Sequence, residues 1–232
     1  MDHVDLQRLG RIDYAPALDW QRARVAALVA SPTTAREAVA FLEHNPVYTL
    51  GARGNRAYLL AGEAALTARG AAVVQSNRGG DVTFHGPGQL VVYPILNVRS
   101  RGFGAAAYVH ALEEAVIRAL DTLDVAGTRV EGRRGVWVAG RKVAAIGVRI
   151  SRGISMHGLA LNVSTDLRWF DAIVPCGIAD AGVTSLEQLA GVAPPMRAVE
   201  DAVAEALGSV LDIELVERGA PVLAAVGGSR AR

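Results

Sequence analysis

Apolar residues recur at helical spacing in several segments of the chain. The strongest pattern spans residues 104–123, where apolar side chains return every three or four positions. The same spacing, followed by a stop at Ser31-Pro32, predicts a helix over residues 15–30. A further helix is predicted over residues 56–69, because Asn55 can cap its start and Gly70 can end it. Shorter or later helices are predicted over 184–190 and 198–210, the first from the capping box Thr184-Ser-Leu-Glu187.

Between these helices, continuous or alternating apolar runs predict strands. They cover about residues 5–13, 46–50, 71–75, 90–96, 128–150, 154–163 and 213–216. Pro94 has no amide donor, so the segment that contains it is expected to be an edge strand or the end of one. A two-residue turn at Gly140-Arg141 would start a strand with Lys142 on the same face as Ala144, Ile146 and Val148.

The elements mix without the strict alternation of a parallel α/β fold. The central strands follow one another like a meander, which favours an α+β fold with a mixed or largely antiparallel sheet packed with helices. No internal repeat or linker divides the chain. We therefore predict a single domain over residues 1–220 and a flexible tail over 221–232.

Composition narrows the class of protein. The chain has 232 residues, of which 51% are hydrophobic, and this is enough to bury a full core. A net charge of +1 gives no reason to expect nucleic acid or a membrane surface as the main partner. With one cysteine, no signal peptide and no apolar run long enough to span a bilayer, we expect a cytoplasmic protein.

Two residues occur once each, and both lie in one stretch of the sequence. Lys142 is the only lysine among 24 basic residues, and Cys176 is the only cysteine. An ammonium group beside a thiol lowers the thiol pKa, and a lysine, unlike an arginine, can also take a proton as a base. The sequence thus permits a nucleophilic dyad. It equally permits a surface lysine and a small buried cysteine.

The segment Arg78-Gly-Gly-Asp-Val-Thr-Phe-His85-Gly-Pro-Gly-Gln89 is rich in glycine and charged residues. Glycines here allow tight turns and a close approach of the backbone to a ligand or to another strand. It is not a Walker phosphate loop, because no lysine follows its glycines. The histidines lack metal-ligand spacing, so no metal and no cofactor is predicted; His85 and His157 have either a structural or a substrate-orienting interpretation.

Taken together, these segments closely resemble the octanoyltransferases of lipoate biosynthesis. The resemblance rests on Arg78 to Gln89, Gly140-Arg-Lys-Val-Ala-Ala-Ile-Gly147, His157-Gly-Leu-Ala-Leu-Asn-Val163, Ile173-Val-Pro-Cys-Gly-Ile178 and Gly182-Val-Thr-Ser-Leu186. It covers about residues 5–215. It implies a fold similar to that of biotin protein ligases and lipoate ligases.

The resemblance also implies an acyltransferase reaction. An octanoyl group would pass from octanoyl-acyl carrier protein to a specific lysine of a lipoyl domain, in 2-oxoacid dehydrogenase complexes or the glycine cleavage H protein. Cys176 would hold the acyl group as a thioester, and Lys142 would lower the pKa of the thiol. The acyl substrate would be bound by Arg78, Gly79, Gly80, Asp81, Val82, Thr83, Phe84, His85, Ala145, Ile146, Gly147, Gly158, Leu159 and Ala160.

Two other functions are compatible with such a fold. An ATP-dependent lipoate or biotin ligase would activate a free acid and would not need the cysteine. A non-catalytic protein that binds acyl carrier protein would form no covalent adduct. The presence of both Lys142 and Cys176 favours the transferase over either alternative.

Overall fold

A computed structural model describes residues 2–174 and 182–219. The strands are β1 (Asp2–Ile12), β2 (Ala38–His44), β3 (Val47–Leu50), β4 (Ala72–Gln75), β5 (Val82–His85), β6 (Gln89–Ile95), β7 (Thr128–Val130), β8 (Arg133–Val138), β9 (Arg141–Ser151), β10 (Ile154–Asn162) and β11 (Ile213–Glu217). The helices are α1 (Tyr14–Ala30), α2 (Glu63–Ala68), α3 (Ala105–Asp121), α4 (Leu186–Ala190) and α5 (Met196–Leu211), with short 3-10 turns at Arg56–Tyr58 and Leu167–Ala172.

The strands form one large and one small sheet. The large sheet has eight strands in the order β11-β1-β2-β6-β10-β9-β8-β7, and the small sheet has the order β4-β3-β5. Strands β7 to β10 form an antiparallel meander, whereas β1 pairs in parallel with both β2 and β11. The sheet is mixed, as expected for an α+β fold.

Helices cover both faces of the large sheet. Helices α3 and α5 pack on one face, where Leu112, Val116 and Leu207 are fully buried with apolar residues of the strands. Helix α1 covers part of the other face through Ala17 and Trp20. The small sheet has its own apolar cluster, so a gap remains between the two sheets beside α1.

The predicted helix over 56–69 is wrong. Only Arg56–Tyr58 and Glu63–Ala68 are helical, because Leu59 forms a β-bridge with Ile173 and Gly62 caps the second segment in an extended conformation. The pattern also missed β5, which lies inside the glycine-rich segment.

Pro94 does not lie at a sheet edge, but it is the last residue but one of its strand. Strand β6 is central, paired with β2 through Val39–Pro94 and with β10 only as far as Val92–Leu159. The Pro94 Cδ atom, which replaces the amide hydrogen, faces Gly158, where β10 no longer pairs with β6. The proline is tolerated because no ladder bond is required at that point.

The hairpin that precedes Lys142 differs from the predicted one in two ways. Its two turn residues are Ala139 and Gly140, both with positive φ, because Val138 pairs with Arg141. A β-bulge then follows, since one step on β8 from Val136 to Trp137 matches two steps on β9. The bulge reverses the alternation, so Lys142 does not share the face of Ala144.

Candidate active site

A cavity of about 570 Å³ lies between the large sheet and the segment that leads into β5. Its wall includes residues of α1, β5, β6, β8, β9 and β10. The exposed residues Arg53, Gly132 and Arg134 mark its open side. Buried Tyr14 and Tyr93 belong to its inner wall.

The cavity gathers most of the residues predicted to bind substrate. Lys142 also lines it, together with the following predicted residues: Arg78, Gly79, Gly80, Asp81, Thr83, His85, Ala145, Ile146, Gly147, Gly158, Leu159 and Ala160. Val82 and Phe84 do not. They alternate with Thr83 and His85 along β5, and their side chains are fully buried in the apolar cluster of the small sheet.

Sequence reasoning missed other residues of the wall: Tyr14, Arg53, Tyr93, Gly132, Arg133 and Arg134. The two tyrosines lie in ordinary apolar patterns at the start of α1 and within β6. Only the tertiary fold brings them to the cavity. Arg133 and Arg134 belong to a run of arginines over residues 129–152, and such a run does not by itself identify cavity residues.

One wall of the cavity, here called the ladder wall, consists of Ala145, Gly147, Gly158 and Ala160 on β9 and β10. Gly147 pairs with Gly158 and Ala145 pairs with Ala160 across the antiparallel ladder. A Cβ atom at Gly158 would lie 2.1 Å from the Val92 carbonyl oxygen, so glycine there allows the strands to approach. The result is a wall without large side chains.

A second wall, here called the loop wall, consists of Arg78–Asp81, adjoins the ladder wall beside Gly147 and is held by Arg78. The buried guanidinium donates to the hydroxyl and carbonyl oxygens of Thr49 and to the carbonyls of Gly79 and Asp81. The Gly79 amide donates to the Val148 carbonyl at 2.9 Å. This amide is therefore a structural donor and a poor candidate for binding an oxyanion. The loop wall is fixed by its own polar contacts.

Two buried histidines, His85 and His157, lie on the inner wall. His85 Nδ1 is 2.7 Å from Gln89 Oε1, and the Gln89 amide nitrogen donates to Asn162 Oδ1 at 2.9 Å. This chain gives His85 a protonated Nδ1 and leaves Nε2 as an acceptor. Burial, reinforced by nearby His44 and Arg78, lowers the pKa of His85 to about 3, so its ring is neutral at pH 7.

His157 lies within β10, paired with Val148 of β9, but its backbone is unusual for a strand. Its φ of 58° is left-handed, and its amide donates to Gln21 Oε1 of α1 at 2.8 Å. Its Nε2 atom contacts Asn77 Oδ1 at 2.7 Å. Burial, with Arg78 next in importance, lowers the pKa of His157 to about 3. Both histidines therefore supply neutral hydrogen-bonding groups to the cavity.

Lys142 is fixed at its backbone beside the segment that precedes α4. Its amide donates to the Gly182 carbonyl at 3.0 Å, and its carbonyl accepts from the Thr184 amide at 2.9 Å. It forms a parallel β-bridge with Val183. Its Nζ atom lies 4.8 Å from the centre of the Trp137 ring. Lys142 thus links the cavity wall to the chain that follows residue 181.

The predicted nucleophile Cys176 lies outside the described residues, as does the predicted tail. The residues on either side of 175–181 are anchored: the Val174 amide donates to the Tyr58 carbonyl at 2.9 Å, and Gly182 and Thr184 bond to Lys142. The role of Cys176 stays a prediction.

The arginines between residues 129 and 141 make different contacts. Arg129 makes ion pairs with Glu113 and Glu114, and Arg141 donates to the Val183 carbonyl. Arg133 and Arg134 line the cavity. The basic character near the opening therefore comes from a subset of the run seen in the sequence.

Within residues 2–174 and 182–219, no group of three acidic, histidine or cysteine side chains is arranged to hold a metal ion. No helix in those same ranges has the length and hydropathy of a membrane span.

Comparison with known proteins gives a consistent family. Residues 13–208 match the model of the lipoyl protein ligase A/B catalytic domain. A protein named octanoyltransferase from Chloroflexus aggregans is 46% identical over 219 residues, which cover 93% of this chain and 98% of that protein. Another of that name from Acidobacterium capsulatum is 51% identical over 197 residues, covering 79% of each.

Solved structures show the same fold at low sequence identity. A bipartite lipoate protein ligase from Thermoplasma acidophilum, solved in a study with its E2 lipoyl domain, gives a TM-score of 0.69 at 16% identity, covering 96% of this chain and 89% of that one. A biotin protein ligase from Aquifex aeolicus gives 0.52 at 13% identity, covering 90% and 69%. The chain therefore belongs to the octanoyltransferase family of acyltransferases and contains the lipoyl protein ligase A/B catalytic domain.

Proposed function

We propose that this protein transfers an octanoyl group from octanoyl-acyl carrier protein to a lysine of a lipoyl domain, through a thioester on Cys176. The observation that supports this most directly concerns Lys142. Its side chain lines the cavity, while its backbone bonds to Gly182 and Thr184, directly after the segment that contains Cys176. An ammonium group in that position is suited to lower the pKa of a nearby thiol.

In the first half-reaction, the Cys176 thiolate attacks the thioester carbonyl of the donor. The bond to the carrier thiol breaks and that thiol leaves as a thiolate, so one thioester replaces another. In the second, the lysine amine of the lipoyl domain attacks the Cys176 thioester. An amide forms, the Cys176 thiolate is released, and the amine loses a proton to solvent or to a nearby base.

The ladder wall supports an aliphatic acyl group as the ligand. Its glycines and alanines leave a smooth surface that can lie against a methylene chain. Burial of six methylene groups and the terminal methyl group contributes about 5–6 kcal/mol at roughly 0.8 kcal/mol each. This is enough to hold an octanoyl group while the protein partners exchange.

The test is an intact-mass measurement after the protein is mixed with octanoyl-acyl carrier protein in the absence of ATP. We expect an octanoyl adduct that maps to Cys176 and disappears when apo lipoyl domain is added. The Cys176→Ala variant should form no adduct and lose turnover, and Cys176→Ser should lose at least a hundredfold in rate because a hydroxyl is a far weaker nucleophile than a thiolate.

Other outcomes would select a different function. Acylation of the lipoyl domain only with octanoate and ATP would indicate a ligase. Binding of the carrier protein without transfer under either condition would indicate a non-catalytic binding protein. Normal turnover by Cys176→Ala would exclude the thioester mechanism.

A further inference from the structure

Trp137 of β8 lies against the amine of Lys142. The indole is almost fully buried, and Trp137 pairs with Lys142 across the β8–β9 ladder. The Lys142 Nζ atom is 4.8 Å from the ring centre, and the Arg133 guanidinium carbon is 5.9 Å from the same centre. One buried aromatic ring therefore contacts two cationic side chains at the cavity wall.

Gly135 leaves the space that the aliphatic part of Lys142 occupies beside this ring. A Cβ atom at position 135 would lie 3.3 Å from Lys142 Cε and 2.5 Å from the Ala144 carbonyl oxygen. Gly135 has a φ of 110°, and its amide donates to Glu113 Oε1 at 2.8 Å. The glycine is therefore held in a conformation that leaves a path for the lysine side chain.

An aromatic face favours the charged form of an amine over the neutral form, because the ring quadrupole attracts a cation. A ring cannot accept a proton, so the contact offers no route for deprotonation. Lys142 is constrained at two points. Its backbone is bonded to Gly182 and Thr184, and its ammonium group lies against Trp137.

We propose that Trp137 is a positioning residue that holds Lys142 as an ammonium cation at the cavity wall, so that Lys142 acts on the nucleophile through its charge and not as a proton acceptor. This rests on the proposed function for its catalytic meaning, but the placement of the charge can be measured without any reaction. Other charged or titratable groups could influence such a measurement: Tyr14, Arg53, Arg78, Asp81, His85, Tyr93, Arg133, Arg134 and His157 on the cavity wall, Glu113 behind Gly135, neighbouring Arg141, and Cys176 and Asp180 in the segment outside the described residues.

Because Lys142 is the only lysine in the chain, protein labelled with 13C-lysine gives a single Cε resonance. Its chemical shift, followed against pH, reports the charge of this one amine. We expect the titration midpoint to fall in the order wild type, Trp137→Phe, Trp137→Leu, with the leucine variant lower by about half a pH unit or more. If Trp137→Leu does not fold, the intermediate shift of Trp137→Phe still tests the order. Equal midpoints in the folded variants would overturn the proposal.

A second readout connects this charge to the thiol. Since Cys176 is the only cysteine, the rate of alkylation by iodoacetamide against pH reports its thiolate. We expect Trp137→Leu to move this profile to higher pH, and Trp137→Phe to move it less. In a Lys142→Ala background, the Trp137 substitutions should have no further effect. An equal shift in that background would mean that Trp137 acts by another route and would overturn the proposal.

Failure of the proposed function would instead be seen as the absence of an acyl adduct on Cys176.

Discussion

The two walls of the cavity are built in opposite ways. The loop wall is made rigid by a buried charged side chain whose donors are directed at backbone carbonyls. The ladder wall is made smooth by the absence of side chains, and its rigidity comes from strand pairing. Residues of both walls belong to the segments that carry the resemblance to the family. A residue of such a segment, although it lies beside a ligand site, can thus serve the backbone and not the ligand.

Among the single substitutions, Arg78→Lys is expected to have the largest effect, because it removes the guanidinium fork that holds the loop wall. A lysine cannot donate at once to Thr49, Gly79 and Asp81, so buried carbonyls lose partners. We expect a loss of about 3 kcal/mol in the free energy of unfolding, measured by urea denaturation, together with loss of octanoyl transfer. Arg56→Lys, at an exposed site, is the matched control and should change stability little. Wild-type stability in Arg78→Lys would mean that the fork does not hold the wall.

Three buried histidines, His85 and His157 on the inner wall and His44 beside His85, should make the stability depend on pH. Burial lowers the pKa of His44 to about 4 and those of His85 and His157 to about 3. The unfolded chain, with pKa values near 6.5, binds more protons below that pH, so stability falls as pH decreases from about 6.5 toward 4. Each histidine contributes a slope of up to about 1.4 kcal/mol per pH unit.

Urea denaturation at several pH values between 7 and 4.5 measures this slope. Substitution of exposed His110 by glutamine should leave it unchanged, whereas His157→Gln should reduce it. A free energy of unfolding that does not vary over this range would contradict the buried neutral state of these rings.

Ala160→Val probes the ladder wall and should have the smallest effect on folding. Two added methyl groups narrow the cavity and cost about 1–3 kcal/mol of stability through overpacking. If an octanoyl chain lies along this wall, the rate with octanoyl donor should fall about tenfold relative to a butyryl donor, as expected for one or two methylenes displaced. The ratio of the two rates within the same variant corrects for any general loss of activity. An unchanged ratio would place the acyl chain elsewhere.

Much of the fold follows from local sequence patterns. Periodicity predicted α1, α3 and α5 to within about two residues at either end, because α3 and α5 each bury an apolar face and α1 buries Ala17, Trp20 and Leu28 on one side. The antiparallel meander was also predicted. The pairing of β1 with β2 and β11, distant in sequence, was not, because a strand pattern does not specify its neighbours.

The errors have particular physical causes. Leu59 is apolar and fits a helix pattern, but its β-bridge to Ile173 is a tertiary contact. Pro94 indicated an edge strand or the end of one, and the first alternative stayed open because the point where β10 stops pairing with β6 cannot be inferred from β6 alone. Most residues of the cavity wall were predicted through the family resemblance, whereas Tyr14 and Tyr93 needed the fold to bring them there.

The bulge at the start of β9 has a consequence for how this segment tolerates change. Two strand steps on β9 match one step on β8, so β9 has one extra residue here. The extra residue turns the Lys142 side chain toward the cavity while Val143 and Ala144 remain buried in the core. Substituting another apolar residue for Val143 keeps the count. Deleting one residue from this segment, or inserting one, reverses the direction of the amine. The constrained property here is the number of residues, so a deletion and insertion scan would reveal a requirement that a substitution scan does not detect.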